Sequence, residues 1–532
     1  MLGMSTLELL SAIGRQGCYL IIGLFLLLCS YRILLHPLRG YPGPFLAKVT
    51  AFYAGFYVVK KSLHLKMLEN HRRYGSVVRL GPDRLVFNTV TAFRVIYQSD
   101  QSVKSYTYQS TTKDFPVNMF TERDHASHLA KRKLIEQAIT EKSMRSFGPD
   151  MVRQINTYLK QVIEASRTPT PVNITEKARH LALDIVGQLA FGQNLHVQTS
   201  QENRFIMDAM SFGHYRLNIY HHMYFLSKIE PTRIINYITS RYRQKYWLLL
   251  QTMIKTRMGE ERNARPDFYS FVSDTLEAEP DTLRGGSMWT EALFFMSAGG
   301  DTVATLTCAI FFYLSRNPEC YSTLAHEIRS TFFSGHDIQG GPQLADCVYL
   351  RACIDESLRM SPPSPSNHWR EQDPDDTKPL MIDGNVIPRG TLISVSPYAL
   401  QHNEAYFPDS FAFKPERWLD TPGKEEARKI AYDAFGAFSI GPRNCAGKAM
   451  AYLEASLVVA KTLWYFDFEP APGKLGQIGG GVSGAKDGRD RLDEYQLFDI
   501  FTSRHDGPYL IFRPQGDVSD KGLGGNCVTV PG

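Results

Sequence analysis

The run Phe438-Ser-Ile-Gly-Pro-Arg-Asn-Cys-Ala-Gly447 gathers the residues best suited to chemistry. Cys445 lies between Arg443 and Gly447, and the helical run Lys448-Ala-Met-Ala-Tyr-Leu-Glu-Ala follows at once. A cysteine binds metal as the thiolate. Amide N–H groups in a loop at a helix N-terminus donate to the sulfur and favour that charged form. Gly441 and Gly447 carry no Cβ, so their backbone can lie close to a flat ring. Arg443 can pair with a carboxylate on the edge of that ring, and Phe438 opens the motif. The pattern suits a thiolate ligand to haem iron, with Cys445 as the metal ligand. It also fits a buried cysteine in a glycine-rich turn, so the other motifs must decide.

Two further groups bear on the choice. Ala298-Gly-Gly-Asp-Thr302 sits inside an apolar run. Two glycines within a helix cost about 1 kcal/mol each relative to alanine. Gly299 and Gly300 therefore suggest a local widening where a small ligand such as oxygen sits. Asp301 and Thr302 beside it form an acid–alcohol pair able to pass protons. The alternative is a capped break between two helices, since Asp and Thr are N-cap residues. Glu356-Ser-Leu-Arg359 places opposite charges three apart on one helix face. With Arg417, from Phe413-Lys-Pro-Glu-Arg-Trp418, they suit a buried, fully paired network bracing the fold behind the cysteine loop.

The elements that must position these groups are mostly helical. Leu181–Ala190 has helical apolar spacing and stops at Gly192. Long helices are predicted over Trp289–Leu314, Leu344–Met360 and Ala446–Tyr465, the first two ending before prolines. Strands are predicted at Val77–Gly81 and Arg84–Phe87, across a Pro82-Asp83 turn, and on either side of Pro388-Arg389-Gly390. Lys474–Arg491, rich in glycine and charge, reads as a surface loop. The expected class is mainly α with small β-sheets (α+β), without a composition shift marking a second domain.

The remaining cysteines, Cys18, Cys29, Cys308, Cys320, Cys347, Cys353 and Cys527, form no C-x-x-C pair and no zinc-like cluster. Each reads as a small buried apolar residue. The chain is 43% apolar and 21% charged with net charge +5, an ordinary globular balance. That charge is too mild for a nucleic-acid binder, although a local basic face could receive an acidic protein.

Gly17 to Tyr31 is uncharged and mostly apolar, and Arg32 interrupts its continuation into Ile33-Leu-Leu35. A span of about 20 residues results if Arg32 snorkels to the headgroups. No small-x-small cleavage pattern follows, which favours an uncleaved anchor over a signal peptide. Residues 1–36 are read as that anchor and 37–532 as the catalytic domain. Arg32, Arg39 and Lys48 after the span place the C-terminal body in the cytosol by the positive-inside tendency. The Asn173-Ile-Thr175 sequon then stays bare. Pro37, Pro42 and Pro44 stiffen an extended connector.

Together these motifs resemble the cytochrome P450 family, over about Pro37 to Pro514 and in family order, with the look of microsomal fungal members. The resemblance implies a cytochrome P450 fold preceded by one N-terminal transmembrane helix, with haem b between two long helices. It implies a monooxygenase that takes O2, electrons from NADPH–cytochrome P450 reductase and a lipophilic small-molecule substrate, such as a terpenoid, polyketide or alkaloid of secondary metabolism. It implies an endoplasmic reticulum membrane location, single-pass, with a cytosolic catalytic domain. Arg132, Arg370 and Arg443 match positions that bind the haem propionates, and His128 stands where the family usually has Trp. Ser364-Pro-Ser-Asn-His368 is a polar stretch where the family lines its substrate pocket. Lys131, Lys133 and Lys448, flanking Arg132 and the cysteine loop, would form a basic face for the reductase. The same iron chemistry could instead end in desaturation, ring closure or phenol coupling. A haem-binding sensor or carrier is the alternative of another class, but it would have no use for an acid–alcohol pair.

Overall fold

The computed structural model describes residues 6–111, 117–229, 232–261, 264–271 and 287–516. Cys527 lies outside them. The core is built on the helix Ser287–Arg316, which runs unbroken through the two glycines. Its second half, from Cys308 to Leu314, is almost wholly buried. It lies against Ile174–Phe191, a helix capped at its start by the Asn173 side chain and ended by Gly192 in the left-handed conformation at φ 66°. The glycine pair is explained at this crossing. A Cβ on Gly299 would sit 2.8 Å from Val186 Cγ2, and one on Gly300 would sit 3.3 Å from Met210 Cε. The cost of glycine is offset by close helix packing, and the reading of a capped break is set aside.

Val348–Met360 and Lys448–Tyr465 complete the helical frame around the cysteine loop. The expected Leu344–Met360 helix is divided, because Pro342–Ala345 forms a separate turn of helix before it. The predicted hairpin at Val77–Gly81 and Arg84–Phe87 is present and antiparallel. The strands flanking Pro388-Arg389-Gly390 do not pair with each other. Asn385–Ile387 pairs with Leu380–Ile382, whereas Leu392–Val395 runs parallel to Arg84–Phe87. The resulting five-stranded sheet continues through Arg370–Gln372 to Ser102–Lys104. The hairpin Phe498–Ile500/Thr502–Arg504 carries Phe501 at its tip. The predicted surface loop from Lys474 to Arg491 is in part tightly folded: a Cβ on Gly481 would lie 2.3 Å from the Arg491 carbonyl oxygen.

Thr6–Ser30 is a helix that continues as Tyr31–Leu35. Leu10–Leu35 is long and apolar enough to cross a membrane. Thr290–Arg316 is also long and apolar enough, but it is a largely buried core helix. Arg32 Nη1 donates to the Val49 carbonyl at 2.6 Å, so it ties the anchor to the folded body. The proline connector is docked as well as stiff. Leu38 is buried, and the Arg79 amide donates to the Pro42 carbonyl at 2.7 Å. The Arg79 guanidinium donates to the Arg32 and Leu38 carbonyls. Asn173 of the sequon is used structurally, its Nδ2 donating to Tyr509 Oη at 2.9 Å.

Candidate active site

A cavity of about 750 Å³ lies between the middle of Ser287–Arg316 and the cysteine loop. On one wall are Ala298, Gly299, Thr302 and Val303; on the other are Phe438, Cys445, Gly447 and Met450. The volume falls in the range of cofactor and small-molecule sites. Phe120, Phe294 and Phe501 close part of it, with Phe120 stacked on Phe294 at 5.5 Å and edge-on to Phe501 at 5.4 Å.

The cysteine loop is held by its own backbone. The Cys445 amide donates to the Phe438 carbonyl at 2.8 Å, and the Asn444 amide to the Gly441 carbonyl at 3.1 Å. Cys445 lines the cavity and is accessible from it although the cavity lies within the protein. Burial raises its pKa, against the lowering effects of the Gly447 amide, Arg132 and Lys448. An iron ion bound to the sulfur displaces that proton outright. Gly447 lines the cavity, and a Cβ there would meet nothing within 4 Å. Gly441 is placed differently. Its φ is 76°, and a Cβ would lie 2.1 Å from the Tyr97 carbonyl oxygen. It seats the loop on the Tyr97–Gln98 backbone, so its closeness is to protein and not to a ring.

Arg370, Arg443 and His128 line the cavity, and Lys104, which carried no motif, joins them. Arg443 donates to the Glu122 carbonyl at 2.7 Å and the Arg123 carbonyl at 2.8 Å. Burial, then Arg370, pushes its pKa down to about 10. Arg370 lies near Tyr108, with Nη1 3.3 Å from its hydroxyl. Burial pushes His128 down to about 3, helped by Lys104, Arg443 and Arg132, so it is neutral. Arg132 does not line the cavity. Its Nε pairs with Glu136 at 2.7 Å, and its two terminal nitrogens grip Asn444 through the carbonyl at 2.7 Å and the side-chain oxygen at 3.0 Å. Cations and a thiol lining one largely apolar cavity fit an iron porphyrin with two carboxylates.

The Glu356 network forms as expected. Arg359 donates to Glu356 through Nε at 2.8 Å and Nη2 at 2.9 Å, and Arg417 through Nε at 3.2 Å. The Trp418 indole and the Lys414 amide add bonds of 3.0 Å each. The link to the cysteine loop runs through Gln401, whose Nε2 donates to the Arg359 carbonyl at 2.8 Å. Its Oε1 accepts from the Gly436 amide at 2.9 Å.

Asp301 and Thr302 part company. The Thr302 hydroxyl lines the cavity and donates to the Ala298 carbonyl at 2.7 Å. Asp301 is buried off the cavity, 3.1 Å from Arg179 Nη2 and 3.4 Å from His214 Nδ1. Burial raises its pKa, but hydrogen bonding to His214 and the Arg179 charge outweigh that and lower it, so it is a carboxylate. His214 reaches the cavity and bonds Ser297 Oγ at 2.8 Å and Thr502 Oγ1 at 3.1 Å. Asp301 therefore meets the cavity through His214, not directly. Ser364 and His368 of the polar stretch also line it. Burial pushes His368 down to about 3 and keeps it neutral. His214 and Lys104 could not be found from spacing, since each depends on distant segments folding together.

On the prospective reductase face, Lys131 is engaged, with Glu122 at 3.2 Å and the Val117 carbonyl at 2.7 Å. Lys133 and Lys448 are exposed.

The sequence matches the family model described as Cytochrome P450 over residues 42–477. It is 32% identical to cytochrome P450 monooxygenase AKT7 of Alternaria alternata, over 93% of this chain and 96% of that one. It is 30% identical to cytochrome P450 monooxygenase apf7 of Gibberella fujikuroi, over 93% and 97%. It is also 30% identical to cytochrome P450 monooxygenase poxM of Penicillium oxalicum, over 91% and 92%.

Proposed function

The chain belongs to the cytochrome P450 family, as a haem-thiolate monooxygenase using O2, a reductase and a small-molecule substrate, and on that premise we propose that Cys445 is its iron ligand. The observation carrying this is that Cys445, a free and accessible cysteine, lines the same cavity as Thr302. The haem, proposed as haem b, supplies the activation of dioxygen, with the thiolate favouring O–O cleavage. Gly447 would leave room for it, and Arg370, Arg443 and His128, which line the same cavity, would hold its carboxylates. Thr302 offers a hydroxyl at the cavity wall, and Asp301 holds a proton-accepting charge behind His214. Gly299 and Gly300 let the helices approach closely enough to keep that wall narrow. The Phe120, Phe294 and Phe501 rings exclude water and fit a lipophilic skeleton.

The substrate is proposed to be a terpenoid, polyketide or alkaloid of secondary metabolism, and the reaction hydroxylation; the likeness to fungal cytochrome P450 monooxygenases supports the monooxygenase chemistry of that reading. Desaturation, ring closure and coupling use the same residues, and product analysis separates them. Electrons are proposed to come from NADPH–cytochrome P450 reductase, docking near Lys133 and Lys448. Residues 1–36 are proposed as a single-pass anchor in the endoplasmic reticulum, with 37–532 cytosolic. Exposed Phe45, Leu46, Phe52, Phe56, Phe225 and Ile229 support a membrane-facing surface on the body itself.

The test is Cys445→Ser. The reduced protein should lose the red-shifted Soret band of its CO complex and all turnover. Retention of that band would assign the ligand elsewhere.

A further inference from the structure

We propose that Glu291 fixes the Met119–Phe120 wall of the cavity and so acts as a specificity-determining residue, although it does not itself line the cavity. The inference concerns the same cavity as the haem reading above and rests on that reading only for its second test.

Residues 117–124 form no helix or strand. Their one turn is closed locally, the Thr121 and Glu122 amides donating to the Asn118 carbonyl at 3.0 and 2.8 Å. Among the described residues, the backbone of 117–120 reaches other elements only through ionisable side chains. The Val117 carbonyl accepts from Lys131 at 2.7 Å. The Met119 and Phe120 carbonyls accept from Lys104 at 3.0 and 2.6 Å. The Met119 amide donates to both oxygens of Glu291, at 2.9 and 3.0 Å. A lysine can follow a shifting carbonyl on its flexible stem. Glu291 has no such freedom: it is 1% exposed and belongs to the cavity helix Ser287–Arg316.

The same helix completes the wall one turn further on. Phe294, three residues after Glu291, stacks on Phe120 at 5.5 Å, and Phe501 meets Phe120 edge-on at 5.4 Å. Met119, Phe120, Phe294 and Phe501 all line the cavity. Residues three apart share a helix face. Glu291 therefore sets the Met119 backbone at the place where Phe294 receives the neighbouring ring, and a shift at Met119 carries Phe120 off its stack. Burial pushes the Glu291 pKa up to about 7; the Met119 amide, then Lys131 and Lys104, lower it, and Glu122 raises it. Near neutral pH the position thus relies on an acceptor that reaches the Met119 amide, more than on a full charge. Glu291 is a positioning residue, since it acts on the cavity through Met119 and Phe120.

The experiment compares the full-length ferric holoenzyme with its Glu291→Gln and Glu291→Asp variants. Glutamine keeps the reach and one acceptor oxygen but gives up the charge. Aspartate keeps the charge and draws the acceptor back by one methylene. Hydrogen–deuterium exchange at the Met119 amide should stay slow in Glu291→Gln and quicken by about ten- to a hundredfold in Glu291→Asp, the value of one hydrogen bond to a charged acceptor. An amide loosened in Glu291→Gln, or as well protected in Glu291→Asp as in the wild type, overturns the assignment. The second readout is the Soret shift on titration with pyridine and with 4-phenylpyridine, two ligands of haem iron that differ by one ring. Glu291→Asp should leave the affinity for pyridine unchanged and alter that for 4-phenylpyridine several-fold, with Glu291→Gln matching the wild type. A preference between the two ligands that Glu291→Asp does not change removes Glu291 from control of the wall. Failure of the underlying haem-thiolate reading would look different: the wild type itself would lack the red-shifted CO band, while exchange at Met119 would still report on Glu291.

Discussion

Glu356→Ala tests how the fold holds the cysteine loop. The carboxylate has no exposed surface and accepts from Arg359, Arg417, the Trp418 indole and the Lys414 amide. Arg359 is equally buried, so the substitution leaves a full charge without its counter-ion. Breaking a buried pair from one side costs about 3–5 kcal/mol. Orphaned neutral donors such as the Trp418 indole add roughly 1–3 kcal/mol each, not additively. Against a domain stability of about 5–15 kcal/mol, the loss brings the protein near unfolding. It should also be directional, since Gln401 couples Arg359 to Gly436 at the start of the loop. The assay is a urea titration followed by the Soret band and by far-ultraviolet circular dichroism. In Glu356→Ala the Soret midpoint should fall to lower urea than the helical midpoint. Asp267→Asn is the control, because Arg257–Asp267 is also fully buried but lies in other elements. It should move both midpoints together. A Soret midpoint in Glu356→Ala equal to that of the wild type would refute the bracing argument.

Thr302→Ala should leave haem content unchanged and divert oxygen to peroxide, lowering product formed per NADPH; loss of one proton-relay group costs about 10²–10⁴-fold in that step. An unaltered ratio would reduce Thr302 to a helix residue. Lys133→Glu with Lys448→Glu should slow reduction by the reductase most at low salt, where steering is unscreened; a rate insensitive to the pair at low ionic strength removes them from the interface. His71 is buried and its pKa is pushed down to about 4, against an ordinary 6.5, so the unfolded chain takes up its proton first. Its stabilising contribution is complete above pH 6.5 and lost as pH falls to 4. His71→Leu should therefore flatten the acid limb of the stability curve by up to about 1.4 kcal/mol per pH unit. An equally steep limb would mean His71 is charged in the folded protein.

Features encoded by short-range spacing were legible in the sequence. The Glu356–Arg359 pair lies within one helical turn, and the cysteine loop is read from one contiguous run. The hairpin at Val77–Phe87 and the Gly192 stop likewise depend on a few adjacent residues. What escaped was set by tertiary contact. Leu392–Val395 pairs with a strand about three hundred residues earlier, so its turn residues could not reveal its partner. Lys104 reaches the cavity only because its strand adds to Arg370–Gln372. Arg132 was placed at the cofactor by a family position, and its contacts with Asn444 and Glu136 depend on the cysteine loop folding against its helix.

The Ala298–Thr302 segment illustrates why sequence adjacency and chemical adjacency differ. On a helix, successive residues are turned about 100° from each other, and here that turn carries Asp301 off the cavity while Thr302 lines it. Thr302 takes the cavity side with Gly299, and Asp301 takes the side of Arg179 and His214. The pair can then act together only through groups from other elements. His214 supplies that connection, because its ring spans from Asp301 to Ser297 and Thr502, both at the cavity wall. An imidazole held between a carboxylate and a hydroxyl can pass a proton by taking one at one nitrogen and releasing one at the other. On this reasoning the acid and the alcohol belong to two separate arms that meet in the cavity. Removing the acid arm at His214 should then perturb coupling even with Thr302 intact.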